Sequence, residues 1–280
     1  MDIFIPFLGS LEGKDKTAKL VQYMGKLLIF LDSSGSKFKI FQILINYYKV
    51  FFYKLDLKHR LPNVINNMSM FRKIIRFGDW VGPYRRIMNG VMSNALNLMK
   101  YRKANRKITQ TCKVDYEDVV DCLNTFADDV YLLGKLGVVT HKKVLHIAER
   151  HAAYWWMVGI CISSHKAIND RKILNIRMRN AINKRATILA MSSEKAEKAE
   201  VEHNLHNEIM EIDSIIEALK LDLYNSNLTL FKLANDFVFD LIDCLDLNIS
   251  GIYFTVTGLL SGICAFLKLW EKNRVTNMKS

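Results

Sequence analysis

Leu247-Asn-Ile-Ser-Gly-Ile-Tyr-Phe-Thr-Val-Thr-Gly-Leu-Leu-Ser-Gly-Ile-Cys-Ala-Phe-Leu267 contains no charged residue. As a helix it reaches across a hydrocarbon core of about 30 Å. Gly258 and Gly262 form a small-xxx-small pair, which lets two helices approach closely. Asp236, Asp240, Asp243 and Asp246 precede the run, and Trp270, Lys268, Lys272, Arg274 and Lys279 follow it. The cationic end is expected to face the cytosol. A buried helix of a soluble bundle has similar composition, so the length of the uncharged run decides for a membrane span.

Working outward, a second uncharged run covers His151 to His165 and includes Trp155 and Trp156. It reaches only about 22 Å as a helix, and fits a thin span, a re-entrant piece or an interfacial helix. Residues 166–190 are basic and residues 191–222 acidic. Charges of alternating sign from Glu194 to Glu200 suit a solvated helix or hairpin. Upstream, Leu20, Tyr23, Met24, Leu27, Leu28 and Leu31 recur at helical spacing and predict a helix over 14–31. A second helix is expected over 38–55, with Ser33 to Ser36 as the loop between. Strand-like alternation is absent. The reading is all-α and membrane-associated, with three regions. Residues 1–165 form an amphipathic helical region ending in a hydrophobic segment, 166–227 a charged insertion, and 228–280 a helical region with the anchor.

The net charge of +12 is confined to one half: residues 1–150 carry 25 Lys/Arg against 13 Asp/Glu, and the remainder 15 of each. A basic half calls for an anionic partner, and a chain that is 50% apolar favours phospholipid over nucleic acid. The run Lys100 to Lys107 lacks a nucleic-acid reading motif and serves lipid phosphate equally well. The five cysteines are odd in number and never at CxxC spacing, so they read as reduced thiols. The N-terminus carries no secretory signal and the C-terminus no Ser-Lys-Leu address.

No catalytic constellation emerges, and no cofactor or metal is expected. Gly9 to Asp15 fails as a phosphate loop, because only three residues separate its glycines and Asp15 stands where a hydroxyl must hold Mg²⁺. His141, His146 and His151 diverge on a helix, and Glu202, His203 and His206 sit in a charged segment. Asp236, Asp240 and Asp243 share one helix face, as in diphosphate-binding helical enzymes, but no second acidic cluster matches them.

Residues 66–78 read Asn-Asn-Met-Ser-Met-Phe-Arg-Lys-Ile-Ile-Arg-Phe-Gly. On a helical wheel Asn66, Ser69, Arg72, Lys73 and Arg76 lie within about 120° of one another. Met68, Met70, Phe71, Ile74, Ile75 and Phe77 fill the other side. A basic stripe opposite a bulky apolar face is the pattern of a helix lying in an anionic membrane surface, though most such helices simply pack on a core.

Several stretches resemble the peroxin-eleven family of peroxisome-elongation proteins. Phe7 to Tyr23 is similar to its N-terminal signature, carried by Gly13, Lys14, Asp15, Lys16, Gln22 and Tyr23. Phe71 to Gly78 resembles its basic amphipathic helix, Asp128 to Val139 its Asp-aromatic-leucine stretch, and Leu230 to Trp270 its C-terminal end. Asp79 departs from the basic residue common after the glycine, and Pro83 follows early. The resemblance implies non-enzymatic elongation and division of the peroxisome by an integral protein of its membrane. Met68, Phe71, Arg72, Lys73, Ile74, Ile75, Arg76 and Phe77 would then bind anionic phospholipid and insert into one leaflet. It also implies self-association and recruitment of a dynamin-related GTPase and its adaptors. The alternative is a pore or transporter for small solutes, with the Asp236 to Asp246 stripe at its mouth.

Overall fold

The computed structural model describes residues 4–34, 57–104, 114–194 and 199–277. All regular structure among them is helical, in eight segments: α1 Phe4–Gly9, α2 Leu11–Ser34, α3 Leu57–Ile75, α4 Val81–Ala104, α5 Tyr116–Lys135, α6 Lys142–Glu194, α7 Ala199–Cys244 and α8 Gly251–Asn277. The all-α reading holds. The expected helix over 38–55 lies outside the described residues, as do parts of the Ser33–Ser36 loop, the Lys100–Lys107 run and the Glu194–Glu200 stretch.

The helix ends follow from local chemistry. Ser10 starts α2: its Oγ accepts from the Gly13 N–H at 3.0 Å and donates to the Phe7 carbonyl at 2.8 Å. Asp115 caps α5 by accepting from the Glu117 N–H at 3.0 Å. Gly137, at φ +78°, ends the same helix, with the Val138 N–H returning to the Leu133 carbonyl. Asp246, at φ 48°, stands in the turn after α7; aspartate is among the few side chains that tolerate this left-handed region.

The chain divides into two compact units. One comprises Met1–Ile162 with Asn235–Ser280, and the other Ser163–Ala234; α6 and α7 contribute to both. In the first, α2 is the hub. It packs on α1, α3 and α8, while α5 packs on α3 and α4. Tyr23, Phe239 and Leu259 form its buried core, with Leu20, Met24, Leu27, Trp156 and Phe254 packed around them. The second unit pairs the basic part of α6 with the acidic part of α7. Arg185 Nε donates to Asp213 at 2.6 Å and Lys184 meets Glu208 at 3.0 Å. Ile188, Ile212 and Ile216 are buried between the two helices.

α8 is the one helix among the described residues that is long and apolar enough to cross a membrane, over Gly251–Arg274. The expected run from Leu247 is shifted: Leu247 to Ser250 are not helical, and the helix continues past Trp270 to Asn277. The cause is the turn at Asp246, which separates the two axes and leaves four uncharged residues in the link. Of the apolar window of α8, 44% is buried within the chain. The expected hydrophobic segment at 151–165 is an internal stretch of α6 rather than a separate element.

Candidate functional site: a charged cavity beside the apolar helix

The signature residues of α2 sort by depth. Gly13 is buried because α1 folds back over it; an added Cβ would lie 1.9 Å from the Phe7 carbonyl oxygen. Lys14 is exposed and Asp15 buried. Asp15 accepts from Arg72 Nε at 3.1 Å and Lys16 Nζ at 3.0 Å, and Arg76 Nε lies 3.8 Å away. Burial raises the Asp15 pKa, but Arg72, Arg76 and Lys16 outweigh it and hold the carboxyl below its usual range. Gln22, also buried, accepts from Arg72 Nη1 at 2.9 Å. Tyr23 meets Phe239 edge-on. Burial, reinforced by Asp236 and Asp243 against Arg72, pushes its phenol to about 12.

These contacts revise the reading of residues 66–78. Arg72 and Lys73 of the basic stripe face protein, while Asn66 and Arg76 of the same stripe are exposed. Arg72 reaches Asp15 and Gln22, and Lys73 Nζ donates to Asp128 at 2.9 Å while lying 4.7 Å from the Tyr131 ring centroid. The side facing outward is apolar, with Phe71 37%, Ile74 49% and Phe77 55% exposed. Met68 and Ile75 are half-buried. The α-helix is also shorter at its C-terminal end than expected. It stops at Ile75, and Arg76 to Trp80 form a turn. Gly78, at φ +87°, supplies the backbone this turn needs, and its N–H donates to buried Asp129 at 2.8 Å. α4 continues the outward apolar row with Val81, Tyr84 and Met88.

The glycine pair of α8 is filled from within the chain. A Cβ on Gly258 would lie 2.4 Å from the Tyr23 ring, and Gly262 sits against Leu20 and Lys19. Beside it, Lys19 Nζ donates to Ser261 Oγ at 2.8 Å, and Ser261 donates on to Asp236. Lys19 also pairs directly with Asp236 at 3.5 Å. Asp246, at the far end of the acidic stripe, is bound by Arg150 at 2.6 Å. The stripe is thus held by cations of the chain at both ends. Asp240, between them, is fully buried, and among the described residues its carboxylate has no nitrogen or oxygen partner, only the Cys244 thiol beside it. Burial, with Asp243 and Asp236 adding repulsion, pushes its pKa up to about 7. Sequence reading placed Asp240 on the stripe but had no signal for its depth.

Between these helices lies a cavity of about 330 Å³. Its charges are segregated by wall. Lys19 and Lys26 of α2 and Arg72, Lys73 and Arg76 of α3 supply the cations, and Asp128, Glu149, Asp236 and Asp243 of α5, α6 and α7 the anions.

Gly13 and Asp15 are thus buried on the hub helix α2, which packs on the basic helix α3 and the C-terminal apolar helix α8. Residues 1–270 match the sequence profile of the family described as Peroxisomal biogenesis factor 11 (PEX11). The chain belongs to that family. No curated protein and no solved structure matches it. The PEX11 family serves peroxisome biogenesis and proliferation and is associated with the peroxisomal membrane; it is not a known enzyme family. Peroxisome, membrane and organelle organisation are therefore the setting in which the cavity and the outward apolar row operate.

Proposed function

We propose that this PEX11 chain shapes the peroxisomal membrane without catalysis, to elongate and help divide the organelle. α8 is the integral anchor, and the outer side of the α3–α4 elbow enters one leaflet. The observation that supports this is the set Phe71, Ile74, Phe77, Val81, Tyr84 and Met88, large apolar side chains that are exposed among the described residues. Exposed Lys14, Arg85, Lys142 and Lys143 supply attraction to anionic phospholipid in place of the internally paired Arg72, Lys73 and Arg76. Self-association and recruitment of a dynamin-related GTPase with its adaptors complete the reading.

The test is electron microscopy of full-length protein reconstituted in anionic vesicles. Wild type is expected to draw tubules. Ile74→Glu with Phe77→Glu is expected to abolish them while retaining the wild-type melting temperature, since both side chains already face outward. Tubulation that survives both changes overturns the proposal. A second reading, a path for small solutes, has the polar cavity in its favour. Release of an encapsulated dye without bending would select it.

A further inference from the structure

Within the cavity, ion pairs among the described residues join the two walls at some of their members. Lys19 pairs with Asp236 and Lys73 with Asp128, each reaching from the cationic wall to the anionic one. Arg72 and Arg76 share Asp15 behind them. Lys26 is different. Its ammonium is held 5.1 Å from the Tyr23 ring centroid and 5.3 Å from that of Phe254, and it makes no ion pair among the described residues. Burial lowers its pKa, and the positive charge of Arg72 lowers it further. Two neighbouring cations that repel each other in a partly desolvated recess are a place where an anion binds with a net gain. On the opposite wall Glu149 and Asp243 repel each other, adding to the burial that raises the Asp243 pKa against the lowering by Arg150 and Lys73. An ammonium between them relieves that repulsion. The volume is too large for a single ion and suits a small organic molecule.

We propose that this cavity binds a zwitterionic phosphate ester, with its phosphate between Lys26 and Arg72 and its ammonium toward Glu149 and Asp243. The aromatic walls Tyr23, Trp156 and Phe254 line the space between the two poles. The same chemistry is offered by a free aminoalkyl phosphate and by the headgroup of an aminophospholipid. The inference rests on the charge pattern of the walls and is independent of whether the chain bends membranes.

The experiment uses the full-length protein in uncharged maltoside micelles. In the first arm O-phosphoethanolamine is titrated calorimetrically. In the second, phosphatidylethanolamine is doped into the micelles and its retention is read by native mass spectrometry. Saturable binding in the first arm identifies a soluble ligand, and retention in the second alone identifies the lipid. Either supports the site. Lys26→Met is expected to weaken binding by about tenfold or more, the loss of one charge-assisted contact. The same variant should melt close to wild type, because losing the ammonium's contact with the two rings is offset by removing a repelled charge. Glu149→Gln with Asp243→Asn should weaken phosphoethanolamine binding and leave glycerol 1-phosphate, which lacks the ammonium, unaffected. Lys172→Met, exposed in the second unit, should change nothing. Absence of binding in both arms overturns the proposal. So does binding that Lys26→Met leaves intact, or equal affinity for glycerol 1-phosphate in the wild type.

Discussion

Two buried carboxylates of the first unit respond to pH in opposite directions. Asp240 has its folded pKa raised to about 7, so the protonated form is the one the fold favours. Its contribution is fully present below the ordinary value near 3.8 and is lost as pH rises through about 7. Asp240→Asn should therefore flatten the fall in melting temperature between pH 6 and 8 (about the range set by that pKa) and stabilise the protein at the upper end. Thermal denaturation across that range checks it, and an unchanged slope would place the titration elsewhere. Asp15 has the reverse sign. Its folded pKa is lowered, so its stabilisation is present above 3.8 and lost as pH falls through the folded value. Gly13 makes a purely steric demand. Gly13→Ala sets a methyl 1.9 Å from the Phe7 carbonyl oxygen, and α1 must lift to admit it. A loss on the order of 2 kcal/mol is expected in denaturant titration. Gly9→Ala, with open space around its Cβ position, should have no comparable packing cost.

At the scale of elements, α3 carries two surfaces with separable roles. Arg72→Met strips buried Asp15 and Gln22 of their shared donor, leaving Arg76 and Lys16 to hold the carboxylate. A destabilisation of about 2–3 kcal/mol follows, with membrane binding lost only as a result of unfolding. Equilibrium unfolding beside vesicle flotation distinguishes this from a direct lipid contact, which would weaken flotation at unchanged stability. Part of this was legible in the sequence. The period of Leu20 to Leu31 located α2, and the wheel over 66–78 set Arg72 and Lys73 apart from Phe71 and Ile74. A wheel reports that two faces differ and is silent on which one points outward. In water the charged face is the outer one by default. Here Asp15, Gln22 and Asp128, from two other helices, receive it. That partnership joins residues fifty or more positions apart, beyond the reach of local periodicity. Gly78 was quoted as the end of a motif, yet its φ of +87° is what stops the α-helix early. The unbroken course of α6 from Lys142 to Glu194 was also hidden, because the change from apolar to basic composition near residue 165 reads as a boundary.

For the whole molecule, the apolar helix α8 is both core and outer surface. Gly258, Ser261 and Gly262 face α2 and α7, while Tyr253, Ile263 and Leu267 are exposed. Truncation before Gly251 should therefore have two effects at once. The protein should leave the membrane pellet on alkaline carbonate extraction, and the remainder should become protease-sensitive around Tyr23 and Lys19, which lose their packing partners. Limited proteolysis of the truncated chain beside the full chain reads the second effect. A truncated chain that leaves the pellet and stays protease-resistant would show that α8 is an anchor alone. The glycine pair, being occupied by Tyr23 and Leu20, is closed to a second copy of the chain, so the proposed self-association would use another surface.

The bond between Lys19 and Ser261 also sets an order of events. The two residues are 242 positions apart. At a synthesis rate of about 5–20 residues per second, α2 waits on the order of 12–50 s for the helix that receives it. During that interval the nascent chain presents a hydrophobic stripe and a lysine with its eventual seat not yet made. The packing of α2 on α8 forms only once α8 has been translated.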